Sequence, residues 1–162
     1  MIEIFFLSLI QGIAEFLPIS SSSHLILVSE YLEFENRSLS IDVSLHIGSF
    51  LAVIIYFSND IKNFFKNKII FYKILLSSLP VMIVGFFLVE FDLINKIRNI
   101  ETIAWTTLTF GILLFISDKS KAKRNIYDNF DYKSVFLIGF MQILSLVPGV
   151  SRSGIAITVA RF

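Results

Sequence analysis

Long apolar runs alternate with short polar segments along most of the chain. Three of these runs, residues 41–57, 69–89 and 102–117, are long enough to cross or nearly cross a hydrocarbon layer of about 30 Å. The first and third are short for a complete crossing, which a modest tilt or local thinning of the bilayer would accommodate. The pattern therefore predicts three membrane-crossing helices.

Two shorter apolar runs each stop at a proline and are followed by a second short apolar segment. Proline removes a backbone hydrogen bond and breaks a helix, so each pair is interpreted as two half-length helices. Such a pair is typical of a re-entrant hairpin, which enters and leaves the membrane by one face. The first halves are 4–17 and 134–147, ending at Pro18 and Pro148, and the second halves are 21–32 and 151–162.

The basic residues between the crossings predict the orientation of the chain. Lys and Arg are more frequent in segments 58–68 and 118–133 than in 31–40 and 90–101, so the first two segments are predicted to be cytoplasmic. The first hairpin then enters from outside and the second from the cytoplasm. Their polar tips are expected to meet near the midplane.

The two proline breaks also indicate an internal repeat. Aligning Pro18 with Pro148 places "FLPISSSSH" over "LVPGVSRSG". The two hairpins are also predicted to enter from opposite faces of the membrane. The alignment and this orientation together predict an inverted-topology repeat within a single membrane domain, residues 1–162. The first repeat occupies about residues 1–130 and the second, from about 131 to 162, holds only its opening hairpin, so we expect the sequence to be the N-terminal part of a longer protein.

Composition fits an all-α polytopic membrane protein, since 55% of the residues are hydrophobic and 17% are charged. A net charge of +1 gives no basic surface for nucleic acid. The absence of cysteine excludes disulfides and thiolate chemistry. Glu3 replaces the basic start of a signal peptide, and no small-residue cleavage site follows the first run, so we expect no cleaved signal.

The first tip carries side chains that are unusually polar for membrane depth. Gln11 and Glu15 are four residues apart and share one helix face. An intramembrane carboxylate is costly, which makes Glu15 a functional candidate. Ser21 and His24 share a face of the second half-helix, and the serines from Ser20 onward are predicted to cap its N-terminus.

The second tip, "PGVSRSG", repeats the design and adds Arg152, whose guanidinium suits bidentate phosphate contact. Two helix N-termini, several hydroxyls and one arginine in a medium of low dielectric constant predict a phosphate or diphosphate ligand. The residues predicted to bind it are Ser20, Ser151, Arg152, Ser153 and Gly154.

The predicted site is equipped for hydrolysis. The catalytic candidates are Glu15, Ser21, His24 and Arg152. Ser21 or His24 could attack phosphorus, and His24 or Glu15 could take the proton. Gln11 and Glu15 could instead hold a hard divalent cation, Mg²⁺ or Ca²⁺, that bridges the phosphates.

Structural roles compete with these interpretations. The serines could serve only as helix caps, and Glu15 with Arg152 could form a buried ion pair. Asp42 and His46 are four residues apart near the start of a crossing. The sequence favours equally that they line the site and that they stabilise the helix end.

The motifs "QGIAEFLPISSSSHL" and "PGVSRSG" resemble those of the undecaprenyl-diphosphatase family, bacterial membrane enzymes associated with bacitracin resistance. The resemblance implies removal of the terminal phosphate from undecaprenyl diphosphate at the outer side of the cytoplasmic (inner) membrane, with a divalent cation. The monophosphate carrier then returns to cell-wall synthesis. It also implies that Gln11 falls where the family has Glu or Gln and Glu15 on the second motif carboxylate. Ser21 and His24 then match the motif serine and histidine, and Ser151 and Arg152 match the serine and the diphosphate-binding arginine of the second motif.

A transporter or lipid flippase with an anion site at the midplane is the alternative function, because inverted repeats with broken helices are also a transporter architecture. An inactive remnant of the phosphatase is a third hypothesis. The expected partners are the lipid bilayer and the lipid substrate, and a homo-oligomer is left open.

Overall fold

The computed structural model describes residues 2–34, 38–120 and 131–161. Within these ranges every regular element is a helix, which confirms the predicted all-α membrane fold. The helices are α1 Ile2–Ala14, α2 Ser21–Tyr31, α3 Leu39–Tyr56, α4 Ser58–Lys66, α5 Lys68–Glu90, α6 Leu93–Ile97, α7 Ile100–Lys119, α8 Tyr132–Gln142 and α9 Arg152–Arg161.

Two of the predicted crossings are confirmed. Helices α5 and α7 are each long and apolar enough to span a membrane. The first predicted crossing is helix α3, which passes the same test only together with α4, and the two are bent by 79° relative to each other.

Residues 58–68, which the sequence analysis treated only as a basic segment between crossings, contain helix α4. Ile61, Phe64 and Phe65 recur at the spacing of one helix face, so this short polar segment is amphipathic. The rings of Phe64 and Phe65 lie 5.7 and 5.4 Å from the ring of Phe71 at the start of α5. This aromatic packing joins α4 to the start of α5, and such an amphipathic helix suits the membrane surface.

Both proline breaks are present, and the helices end earlier than the sequence pattern predicts. Helix α1 ends at Ala14, because the ring of Pro18 would clash with a helical carbonyl four residues before it. Helix α8 ends at Gln142 and continues as a 3₁₀ turn, Ile143–Leu146, before Pro148. The chain is thereby freed from helical geometry at the two predicted tips.

The first arm of the second hairpin runs along α5. The Lys73 ammonium lies 5.3 Å from the ring of Tyr132 at the start of α8. Further along, a side chain at Gly85 would meet Leu146 at 3.4 Å. The residue numbers at these two contacts increase along both helices, so α8 is parallel to α5.

The second arm returns along α7. Pro148 lies against Thr106 in the first half of α7, and Arg161 at the end of α9 reaches Asp118 near the end of α7, at 3.1 Å. Arg161 also donates to the carbonyl of Ser117.

These contacts fit the predicted re-entrant second hairpin. Two consecutive spans joined by the short segment 91–99 must be antiparallel across a bilayer. A hairpin that follows α5 from its start and α7 to its end therefore has both ends at one face. Thr106 is thirteen positions before Lys119, which places the tip about 20 Å along α7 from that face.

Other parts of the predicted topology stay predictions. The face by which the first hairpin enters stays a prediction. Residues 35–37 and 121–130, which include Arg37 and most of the basic run that predicted a cytoplasmic link, lie outside the described residues. The inverted repeat likewise remains a prediction.

Candidate active site

The two hairpin tips meet. A side chain added to Gly154 would lie 3.1 Å from the carbonyl oxygen of Pro18 and 3.0 Å from Cβ of Ser151. A glycine is therefore needed for the backbones to approach this closely. The contact brings the first turn of α9, which carries Arg152, beside the break that precedes α2.

A side chain that the sequence analysis did not single out holds the second tip in place. The hydroxyl of Thr106 lies 2.6 Å from the carbonyl oxygen of Pro148. Gly149 has a φ of +97°, and any side chain there would collide with Thr106. No local sequence signal marks Thr106, because the partner is far away in sequence.

Glu15 is the centre of the polar contacts at the first tip. Its Oε2 accepts hydrogen bonds from Nε2 of Gln11 and from Oγ of Ser21, both at 2.8 Å. Nε2 of His46 lies 3.8 Å from the same oxygen. The structure thus joins three predicted site residues, Gln11, Glu15 and Ser21, and places the His46 ring beside them.

Gln11 is 1% exposed, and its Oε1 is buried without a hydrogen-bond partner among the described residues. Its Nε2 also lies 3.3 Å from Oγ of Ser49 on α3. If the amide is turned over, Oε1 takes the place of Nε2 beside the Glu15 carboxylate, and the two oxygens are then a suitable donor set for a divalent cation. The described residues contain no group of three or more His, Asp or Glu side chains for a metal, so the remaining ligands would have to come from other groups.

His24 does not contact Ser21 as expected. Its Nδ1 lies 2.7 Å from the carbonyl oxygen of Ser20, whereas the Ser21 hydroxyl bonds to Glu15. A carbonyl only accepts, so Nδ1 carries the proton and Nε2 of the neutral ring keeps a free lone pair. The ring can therefore accept a proton through Nε2.

The prediction that serines cap α2 is wrong in its contacts. Ser20 occupies the cap position, but its hydroxyl makes no bond to the helix backbone. Instead, the hydroxyl of Ser23 donates to that of Ser20 at 2.9 Å, and Ser22 lies 3.3 Å from it. The N-terminal amides of α2 are consequently uncapped by a side chain, which leaves them available to an anion.

The second tip has the predicted cap. Oγ of Ser151 accepts from the backbone amide of Gly154 at 3.2 Å and lies 3.1 Å from Oγ of Ser153. Arg152 is exposed and has no hydrogen bond or ion pair within the described part of the chain. The expected alternative, a buried Glu15–Arg152 ion pair, is therefore wrong, and the guanidinium is free to bind an anion.

Asp42, by contrast, has a structural contact. Its carboxylate lies 2.7 Å from Nη2 of Arg98, with side chains 8% and 18% exposed. This buried pair ties the first turn of α3 to the segment that precedes α7. Its backbone carbonyl also lies 2.8 Å from Nδ1 of His46.

Comparison with known proteins places this arrangement in a family. Residues 4–162 match the family model described as bacitracin resistance protein BacA. The matched range includes both hairpins. The chain belongs to the BacA family. The resemblance found in the two tip motifs is thereby confirmed.

Curated relatives of this BacA-family chain are named undecaprenyl-diphosphatase. The protein from Pelagibacter ubique (strain HTCC1062) is 48% identical over 99% of this chain and 63% of its own length. The protein from Hahella chejuensis (strain KCTC 2396) is 40% identical over 99% of this chain and 65% of its own length. The chain thus spans a little under two thirds of these relatives.

Proposed function

We propose that this chain supplies the catalytic site of a membrane phosphatase that converts undecaprenyl diphosphate to undecaprenyl phosphate and inorganic phosphate. The observation that carries the proposal is the 2.8 Å hydrogen bond from Oγ of Ser21 to Oε2 of Glu15, beside an uncapped helix N-terminus. A hydroxyl paired with a carboxylate is the arrangement of an activated nucleophile. The names of the relatives support the same substrate.

The geometry favours Ser21 over His24 as the nucleophile. Oγ of Ser21 attacks the terminal phosphorus, and its proton passes to Glu15. The bond from phosphorus to the bridging oxygen breaks, and that oxygen leaves with its electron pair as part of undecaprenyl phosphate. The terminal phosphoryl group remains on Ser21 as a phosphate ester.

Water completes the reaction. It attacks the phosphorus of the ester, and its proton goes to the free Nε2 of His24. The bond from phosphorus to Oγ breaks, Ser21 regains a proton from Glu15, and inorganic phosphate is released. His24 then returns its proton to the solvent.

The negative charge of the diphosphate is balanced from both tips. Arg152 supplies a guanidinium without an internal partner, and the first turns of α2 and α9 present backbone amides and their positive dipole ends. Ser20, Ser151, Ser153 and Gly154 line the same junction. Stabilisation by preorganised donors is worth about 10²- to 10³-fold in rate for a single donor.

A divalent cation fits the first tip. Gln11 and Glu15 would hold it through side-chain oxygens. Such a cation would neutralise negative charge on the phosphates.

The proposed place of action is the cytoplasmic (inner) membrane of a bacterium, with the site open to its outer side. Recycling of the lipid carrier there serves peptidoglycan synthesis and gives resistance to bacitracin. The interaction partners are the lipid substrate and the bilayer.

The test is release of inorganic phosphate from a prenyl diphosphate by the purified protein in detergent. Ser21→Ala, Glu15→Gln and Arg152→Gln are each expected to lower kcat at least about 100-fold. Ser44→Ala is the matched control, because that exposed serine bonds only within its own helix, at 2.8 Å to Ser40. Substrate binding without phosphate release would support a transporter, and unchanged rates in the three variants would remove the assigned site.

A further inference from the structure

Three groups that can bind a cation lie together at the first tip, the carboxylate of Glu15, the imidazole of His46 and the side-chain amide of Gln11. Oε2 of Glu15 and Nε2 of His46 face each other at 3.8 Å. Oε1 of Gln11 belongs to an amide whose nitrogen is 2.8 Å from the same carboxylate oxygen, and it is buried without a partner. A buried acceptor such as Oε1 of Gln11 is costly unless a donor or another ligand pairs with it.

The tautomer of His46 follows from its other nitrogen. Nδ1 lies 2.8 Å from the backbone carbonyl oxygen of Asp42, which can only accept a hydrogen bond. Nδ1 therefore carries a proton, so that when the ring has only this one proton, Nε2 presents a lone pair to Glu15. A histidine whose second nitrogen donates to a backbone carbonyl is the usual arrangement of a metal-binding histidine.

The distances suit one ion shared by these groups. Two ligands bound to the same cation, each at about 2.1 Å, can be at most roughly 4.2 Å apart. The 3.8 Å between Nε2 of His46 and Oε2 of Glu15 lies within that limit. A flip of the Gln11 side-chain amide exchanges the positions of Nε2 and Oε1. Oε1 would then lie next to the Glu15 carboxylate.

We infer that His46 is a third ligand of the divalent cation at Gln11 and Glu15, and that the site takes a first-row transition ion such as Mn²⁺ in preference to Mg²⁺ or Ca²⁺. An imidazole nitrogen is a good ligand for the transition ions, whereas Mg²⁺ and Ca²⁺ prefer oxygen alone. The side chains of His46 and Glu15 are 40% and 36% exposed, so an ion can reach them.

The fold holds His46 in place for this role. The Asp42–Arg98 pair fixes the first turn of α3, and the carbonyl of Asp42 orients the imidazole ring. Ser49, one turn further along α3, contacts Gln11 at 3.3 Å. Helix α3 therefore presents one ligand and positions another.

The test is binding of Mn²⁺ to the purified protein, prepared without a histidine tag and without substrate. The inference rests on the proposed function only for the presence of a cation at Glu15, and this binding measurement is independent of phosphate release. The sequence contains two histidines. Pulsed electron paramagnetic resonance of bound Mn²⁺ detects coupling to a ligand nitrogen, so each imidazole can be examined separately.

In His24→Gln, only the imidazole of His46 remains, and the nitrogen coupling is expected to persist. In His46→Gln the coupling should disappear, and the Kd for Mn²⁺ should rise about 10- to 100-fold. In the unmodified protein, Ca²⁺ should displace Mn²⁺ only when present in at least about tenfold excess.

Three results would overturn the inference. The first is that the protein does not bind Mn²⁺. The second is that Mn²⁺ bound to His24→Gln shows no nitrogen coupling, and the third is that an equal concentration of Ca²⁺ displaces the bound Mn²⁺. The nitrogen coupling in His24→Gln is measured with His46 unchanged. The test therefore remains valid even if His46→Gln fails to fold.

Discussion

Gly154 lies against the carbonyl oxygen of Pro18, where an added Cβ would be 3.1 Å from that oxygen. This is the point at which two hairpins, far apart in sequence, share one junction. One side contributes Glu15, Ser21 and the start of α2, and the other contributes Arg152 at the start of α9. The proposed chemistry depends on that junction, because neither tip alone has both a nucleophile pair and a free arginine.

Gly154→Ala is expected to lower kcat for phosphate release about 10- to 100-fold, because the tips must move apart by a fraction of an ångström. The same change should destabilise the protein by about 1–3 kcal/mol through overpacking. Activity and thermal unfolding in detergent measure the two effects. Gly111→Ala is the control, since an added side chain there meets nothing within 4 Å, and equal losses in both variants would contradict the close contact.

Thr106→Val should lower kcat roughly tenfold or more, because it removes the hydroxyl that lies 2.6 Å from the carbonyl of Pro148 and so loosens the second tip. Thr106→Ser keeps the hydroxyl and should restore the rate. Thr109→Val is the matched control, since that hydroxyl bonds within its own helix, 2.8 Å from the carbonyl of Trp105. Loss of activity in Thr106→Ser as large as in Thr106→Val would show that the hydrogen bond is irrelevant.

Asp42→Asn should destabilise the protein by about 3 kcal/mol, because it leaves the guanidinium of Arg98 buried without its partner. The double variant Asp42→Asn/Arg98→Gln should cost less than the sum of the single changes. Free energies of unfolding in detergent give both values. Asp118, 72% exposed in its pair with Arg161, provides the control, and Asp118→Asn should cost less than about 1 kcal/mol.

Strict additivity of the Asp42 and Arg98 variants would mean that the two side chains do not interact. A cost for Asp118→Asn as large as that for Asp42→Asn would mean that burial is not the cause.

The sequence predicted the elements of the site well, because those elements depend on local chemistry. Pro18 and Pro148 break helices wherever they occur, and the apolar runs of α5 and α7 are unmistakable in length. The positions of Glu15 and Arg152 beside the breaks were likewise visible, since charges in such surroundings are rare.

Contacts between distant segments were not predictable in the same way. Thr106 and Pro148, or Asp42 and Arg98, meet only after the helices pack, and each polar group had several possible partners in the sequence. The amphipathic helix α4 was missed because its apolar face is short and its lysines resemble those of a polar link. Ser20 was expected to cap α2, but neighbouring hydroxyls satisfy it instead.

The central claim is that the two tips form one site, and the most direct measurement is the spacing of spin labels placed on them. The chain has no cysteine, so labels attach only at Ile19→Cys and Ser153→Cys. The account predicts strong dipolar broadening in the doubly labelled protein, compared with the sum of the two singly labelled spectra. Spectra identical to that sum would place the tips apart and contradict a shared phosphate site.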